Sequence, residues 1–461
     1  MKSWLIFRPK SYNMKKVLLA LVAFNFIIEI QAQEIPQILP MRERAKVIDQ
    51  WLEERVKTIL PGLMRREGVD MWLIISREYN EDPVIKTFLP STWHAARRTT
   101  MLVVYDNGDS LETYAIARYN VGNIFKKAWN KAIQPDQWKA LSRLIQEKNP
   151  KTIGINKSLT FGLADGISAT EFEFLMANLP KDFQGRVKGV ERLAVGWLEA
   201  RSESEMATYQ HIVRIAHRII QEGFSQQVIT PGITTTDDIV WWYRDRILDL
   251  NLTTWFHPSV SIQRADNESF EHLRAFSERP QDQVVYPGDL LHVDFGITYL
   301  RLNTDTQQHA YLLKPGETDA PDYLKKALAN SNRVQDVLIE NYKLGRTGNE
   351  ILLGALSQCE KEDLKAVIYT HPIGFNGHAA GPTIGMWDQQ EGVPGKGDYP
   401  LYYNTAYSIE LNSSTYIEEW KKDVRIMLEE DGYYDETGFR YIDGRQKEFI
   451  LIPRDLPPNR Q

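Results

Sequence analysis

The chain carries one cysteine, Cys359, in 461 residues. A single thiol closes no internal disulfide and builds no cysteine zinc ribbon, so neither device holds this fold. An excess of basic charge is also missing. There are 55 Lys and Arg against 61 Asp and Glu, a formal charge of −6, which speaks against nucleic acid as a partner. Histidine is scarce, at 9 residues, so two in one short motif carry weight. No apolar run is long enough to span a bilayer comfortably: Val17 to Ile28 is broken at Asn25 and ended by Glu29. What is plentiful is hydrophobic side chain, 43% of residues with 11% aromatic, enough for large cores. The length suits two to four domains.

The N-terminus reads as an address. Met14-Lys15-Lys16, the apolar run and Ile30-Gln31-Ala32 follow the charged, apolar, small-residue order of a secretory signal. Residues 1–13 lack that character, so Met14 is an alternative start and residues 1–32 are expected to be a signal peptide. The competing reading is an apolar helix packed on the body. An exported chain with one cysteine fits a bacterial periplasm better than a disulfide-rich extracellular space.

Residues 33–200 read as an α/β domain. A charged helix over 41–60 precedes a buried strand at 69–75 and a hairpin at 99–105 and 111–117, joined by Asp106-Asn107-Gly108-Asp109. Helices at 137–147 and 170–179 flank a short strand at 152–156. Beyond residue 200, over 201–455, the order of elements repeats. Two helices, 203–225 and 236–250, lead to strands at 253–262, 290–297 and 306–313. Two more, 321–343 and 348–362, lead to strands at 366–369, 406–411 and 424–430. Ser202/Glu205, Thr235/Asp238 and Thr347/Glu350 stand at capping-box spacing before three of these helices. Two such halves closing face to face would bring their last strand pairs to one seam.

Those strands carry acids where apolar residues belong. Asp294 interrupts Leu290-Leu291-His292-Val293-Asp294-Phe295, and Asp305 follows eleven residues later, a spacing for adjacent hairpin strands. Alone, Asp294 also reads as an ion pair or a strand-end turn before Gly296, and Asp305 as an N-cap or a turn. His371 and His378 are seven apart in THPIGFNGH, where Gly374 and Gly377 suggest close backbone approach to a ligand. Glu410 lies in a β-prone run. Glu429 shares a strand face with Arg425 and Met427, while Glu430 and Asp431 compete with it for a role. Buried carboxylates cost several kcal/mol unless paired or metal-bound. Four of them with an imidazole form a hard, oxygen-rich set with room for two divalent ions.

In order and type, Asp, eleven residues, Asp, then H-x-x-G-x-x-x-H, then Glu in a strand, then Glu after Val-Arg-Ile, resembles the M24 metallopeptidases of pita-bread fold. The resemblance covers about 200–450, and the preceding α/β domain resembles the creatinase-type N-terminal domain of the Xaa-Pro aminopeptidases and prolidases. It implies an α/β (α+β) chain: a creatinase-type domain, then a pseudo-two-fold catalytic domain. It also implies a dinuclear exopeptidase acting on Xaa-Pro bonds, with peptides as substrates, and a homodimer. By position, Asp294 would chelate one metal, Asp305 and Glu429 would bridge, and His371 and Glu410 would complete the other. The ions would be manganese, with cobalt, zinc or iron as substitutes. His378 would bind substrate, and Glu410 would also move protons. Two departures stand out. The family ligand falls two residues after the strand Arg, where this chain has Met427; Glu429 takes the role, implying a β-bulge or an extended strand. The family histidine seventeen residues before the first Asp is Ser277 here; His272 is the substitute, with His257 the runner-up. Arg425 is offset from Glu429 and is a weak candidate for a substrate carboxylate.

Creatinase shares the fold but lacks this acidic set. A kinase reading of Asp294-Phe295-Gly296 fails for want of a His-Arg-Asp loop and a Gly-rich phosphate loop. A non-catalytic peptide- or protein-binding module of the same fold is the alternative; such modules lose ligands, and none is missing if Glu429 is accepted.

Overall fold

The computed structural model describes residues 35–266 and 283–453. The signal read over 1–32, His272 and the tail beyond 453 lie outside the described residues. Helix Met41–Thr58 precedes β1 (Met71–Arg77), and β1 is the middle of a six-stranded sheet. It pairs antiparallel with β2 (Thr99–Asp106), followed by β3 (Leu111–Ile116) and β4 (Lys126–Lys127). On its other side it pairs parallel with β5 (Ile153–Ile155), then β6 (Val187–Gly189). Five consecutive buried residues, Met71 to Ile75, make β1 apolar on both faces, as a central strand must be. Trp72 and Ile74 pack toward Phe88 and Trp197, while Leu73 and Ile75 pack toward Leu141 and Ile145.

The second sheet has nine strands. Along its main path lie β7 (Ser259–Gln263), β8 (Leu290–Phe295), β11 (Thr306–Leu312), β15 (Lys422–Asp435), β14 (Thr405–Ile417) and β12 (Lys365–Ile368), while β9 (Thr298–Tyr299) and β10 (Leu302–Asn303) form a separate ribbon between β8 and β11 in the chain. The order β7-β8-β11 then β15-β14-β12 mirrors about the β11–β15 junction. Each half is preceded by its helix pair: Glu203–Gly223 with Thr236–Asp249, then Asp322–Glu340 with Gly348–Lys361. This is the pseudo-two-fold, pita-bread arrangement. Capping boxes form at Ser202/Glu205, Thr235/Asp238 and Thr347/Glu350, satisfying orphan amides at three helix starts. The halves join edge to edge through the pair Gln307 and Glu429, not face to face as the repeat suggested. The strands of the second half are also longer than their apolar runs, because hairpin pairing carries both past those runs: thirteen matched pairs run from Thr405–Tyr434 to Ile417–Lys422.

Alternation sorts the sheet. Val293 and Phe295 pack under the first helix pair with Tyr243, and Ile409 packs under the second with Val334 and Ile351. The residues between them, Asp294 and Glu410, therefore point to the opposite face. At the border with the first sheet, buried Arg55 donates to Glu205 at 2.8 Å, and Arg201 reaches the same carboxylate at 3.3 Å.

Candidate metal centre

On the face away from the helices, four residues of adjacent strands stand in one transverse row. Asp294 pairs with Gln307, Gln307 with Glu429 and Glu429 with Glu410. Asp305 lies two residues before Gln307, on the same face. His371 sits on β13 (His371–Pro372), opposite Ser408, which is two residues from Glu410 on β14. The six candidates thus come together. Ligand atoms of Asp294, Asp305 and Glu429 lie within 4.8 Å of one another, as do those of His371, Glu410 and Glu429, and those of Asp305, His371 and His378.

The geometry around His371 is that of a coordination shell. Its Nδ1 donates to the Pro372 carbonyl at 3.0 Å, which leaves Nε2 as the lone-pair atom. Nε2 faces Asp305 Oδ2 at 3.7 Å, Glu429 Oε1 at 3.8 Å and Glu410 Oε2 at 3.9 Å. These spacings are too long for hydrogen bonds and suit four donors around one cation. Nε2 and Asp305 Oδ1 are buried without a hydrogen-bond partner. Such atoms are costly to bury bare. The donor set therefore fits divalent ions.

Electrostatics point the same way. Burial, then Glu429 and Asp294, hold the Asp305 carboxyl far above its ordinary range. Burial, then the same two neighbours, do likewise for Glu410. Burial and Asp294 push Glu429 up to about 8. Burial, then His378, press His371 down to about 3, so the imidazole is neutral, the form that binds metal. Cations reverse the penalty on all of these acids at once.

Glu429 and Glu430 divide by alternation. Glu429 faces the row and accepts from Ser408 Oγ. Glu430 faces the helices and accepts from His217 Nε2 at 2.7 Å, Gln308 Nε2 at 2.9 Å and the Gln446 amide at 3.0 Å. Asp431 accepts weakly from the Asp305 amide at 3.4 Å. The strand is extended and keeps unbroken register with β14, so no bulge interrupts that pairing. Met427 falls opposite Asn412, one same-face step short of Glu410.

The glycines of THPIGFNGH are each crowded by a side chain distant in sequence. A Cβ on Gly374 would stand 2.9 Å from the Arg201 guanidinium carbon, and one on Gly377 would stand 2.3 Å from the Trp255 ring. Trp255 in turn meets His378 edge-on at 5.0 Å, and His378 meets His371 at 4.7 Å. His378, Glu410 and His371 open onto a cavity of about 360 Å³. Its walls include Phe161 and Leu163 from the N-terminal elements, Met386, Trp387 and Lys396. His257, by contrast, lies exposed against Arg244 and Trp241, outside that lining. Sequence reasoning missed Gln307, Trp255 and Lys396. Gln307 alone left a signal: a polar residue on the same strand face as Asp305, in a run that is buried throughout.

Residues 208–433 match the model of metallopeptidase family M24. No curated protein sequence matches the chain. Among solved structures, the X-Pro aminopeptidase of Thermotoga maritima aligns with TM-score 0.60 and 19% identity, over 85% of this chain and 99% of that one. The Xaa-Pro dipeptidase of Bacillus anthracis aligns with TM-score 0.54 and 14% identity, over 89% and 100%. The N-terminal domain of FACT complex subunit SPT16 from chickpea aligns with TM-score 0.50 and 13% identity, over 89% and 98%. At these identities the likeness is one of fold, and the fold alone selects no activity.

Proposed function

Residues 208–433 place the chain in metallopeptidase family M24, and from that premise we propose that it is a dinuclear exopeptidase hydrolysing Xaa-Pro bonds, at peptide N-termini or in dipeptides. The observation that carries this reading is the buried, unpartnered Nε2 of His371 facing three carboxylate oxygens at 3.7–3.9 Å. Asp294, Asp305 and Glu429 would hold one ion, and His371, Glu410 and Glu429 the other, with Asp305 shared. Manganese suits a carboxylate-rich set with one imidazole; cobalt, zinc and iron are substitutes. Divalent ions there supply Lewis acidity, which lowers the pKa of water and polarises a carbonyl oxygen.

The chain's own groups do the rest. His378 is at the cavity wall, and burial followed by the Lys396 charge lowers its pKa. As a neutral donor it hydrogen-bonds the substrate carbonyl oxygen and the oxyanion that replaces it. Glu410, which lines the cavity, takes a proton and passes it to the leaving nitrogen. That step matters for proline, whose amide nitrogen carries no hydrogen and departs only when protonated. Phe161, Leu163, Met386 and Trp387 offer apolar surface to a prolyl ring, and Lys396 offers a cation to a nearby terminal carboxylate. Homodimeric assembly and export to a periplasm belong to the same proposal. They rest on the family resemblance and on the residues 14–32 order. Among the described residues no helix is long and apolar enough to cross a membrane.

Metal analysis of purified protein, followed by assays on Ala-Pro and Ala-Pro-Ala with added manganese, tests the reading. Cleavage of the dipeptide alone makes it a dipeptidase, and cleavage of the tripeptide makes it an aminopeptidase. Metal-loaded protein that cleaves neither defeats the substrate assignment and favours a binding module of this fold.

A further inference from the structure

In the row Asp294, Gln307, Glu429, Glu410, three members are acids and the fourth is an amide. Gln307 is 3% exposed and lies between two of the acids. Its Nε2 donates one hydrogen to Glu410 Oε1 and the other to Glu429 Oε2, the latter at 2.7 Å. The oxygens that face His371 Nε2 are the other two, Glu410 Oε2 and Glu429 Oε1. Gln307 therefore engages the oxygen of each carboxylate that is turned away from the imidazole.

The amide is itself held. Its Oε1 lies 2.8 Å from His292 Nε2, and His292 Nδ1 lies 3.4 Å from Ser261 Oγ. With Nε2 protonated, His292 donates to the amide oxygen. Turning the amide over would set its oxygen against two carboxylates and its NH2 against an N–H. The two carboxylates thus select one orientation, which His292 completes as the Nε2–H tautomer. Residue choice follows from this. An acid at 307 would repel both neighbours, and an alkyl chain would remove one hydrogen bond from each carboxylate, leaving Glu429 to Ser408 Oγ and Glu410 to Tyr369. Each oxygen has two lone pairs, so the amide hydrogen does not bar the same oxygen from an ion.

We propose that Gln307, oriented by His292, is a positioning residue that decides which oxygens of Glu410 and Glu429 are presented to the metal centre. The inference rests on the metal-binding reading above. Outer partners of ligands are typically worth about 10–100-fold in metal affinity. Gln307→Met keeps the length of the side chain and removes its three hydrogen bonds; His292→Ala leaves Gln307 in place and removes its orienting partner.

The test is calorimetric titration of chelator-stripped, full-length wild type and both variants with Mn2+, alongside the visible absorption spectrum with Co2+ and the thermal midpoint of the stripped proteins. Gln307→Met is expected to bind Mn2+ about 10–100-fold more weakly and to give an altered Co2+ spectrum, with His292→Ala shifted the same way by less. A merely structural role would lower the stripped midpoint while leaving affinity and spectrum unchanged, and that result overturns the proposal. Should Gln307→Met fail to fold, His292→Ala decides alone: wild-type affinity and spectrum there refute the clamp. A wild type that binds neither ion overturns the metal reading and the clamp together, and needs no variant to show it.

Discussion

Glu429 and Glu430 are adjacent in sequence, yet the same substitution in each is expected to act oppositely. Glu430 is fully buried, and its carboxylate accepts from His217, Gln308 and the Gln446 amide. His217 sits between Glu430 and Asp443, at 2.7 and 3.3 Å. Burial opposes its charge, but the Glu430 carboxylate and the Asp443 hydrogen bond outweigh it and raise its pKa to about 10. A histidine whose folded pKa lies above its unfolded value of about 6.5 stabilises the fold fully below pH 6.5, and loses that contribution as pH rises through about 10. The shift caps the effect at about 5 kcal/mol, at roughly 1.4 kcal/mol per pKa unit. Glu430→Gln strands the imidazolium beside Asp443 alone, which for a broken buried pair costs about 3–5 kcal/mol. At about 2–4 °C per kcal/mol, the thermal midpoint falls by roughly 6–20 °C, and its decline between pH 6.5 and 10 flattens. Metal stoichiometry is unchanged, because this carboxylate points to the helices. Glu429→Gln should do the reverse: the stripped protein is no less stable, since a repelled buried acid has gone, but metal is lost. Differential scanning calorimetry across that pH range, with metal analysis of each variant, reads both. Glu430→Gln with a wild-type midpoint, or Glu429→Gln with full metal content, would refute the face assignment.

Mn2+ at about 100 times its Kd should stabilise the wild type by about 2.7 kcal/mol, read as a concentration-dependent midpoint that EDTA abolishes and that His371→Ala lacks. Gly377→Ala puts a Cβ 2.3 Å from the Trp255 ring, so it should cost about 1–3 kcal/mol and lower kcat through the displaced neighbour His378, measured by calorimetry and steady-state assay. Lys396→Met should raise KM for Ala-Pro more than for a longer peptide, whose terminal carboxylate lies farther from the cavity; equal KM changes for both would remove Lys396 as a carboxylate partner.

Much of the fold was legible in linear order, because local chemistry wrote it there. Capping boxes marked three helix starts, and apolar runs marked β1, β2 and β8. Less legible were the long strands β14 and β15, whose polar stretches at 412–415 and 429–431 break the apolar pattern and are carried by hairpin pairing. Not legible either was what crowds the glycines at 374 and 377, because Arg201 and Trp255 lie over a hundred residues away.

By itself the sequence determined the set and order of acids and histidines, and strand alternation determined that Glu429 and Glu430 point opposite ways. Tertiary structure alone decided that Asp294, Glu429 and Glu410 share one row with Gln307 among them, and that His371 looks onto it. Register between strands more than a hundred residues apart is set by the packing of whole sheets on their helices, a sum over many contacts that no local pattern in the chain records.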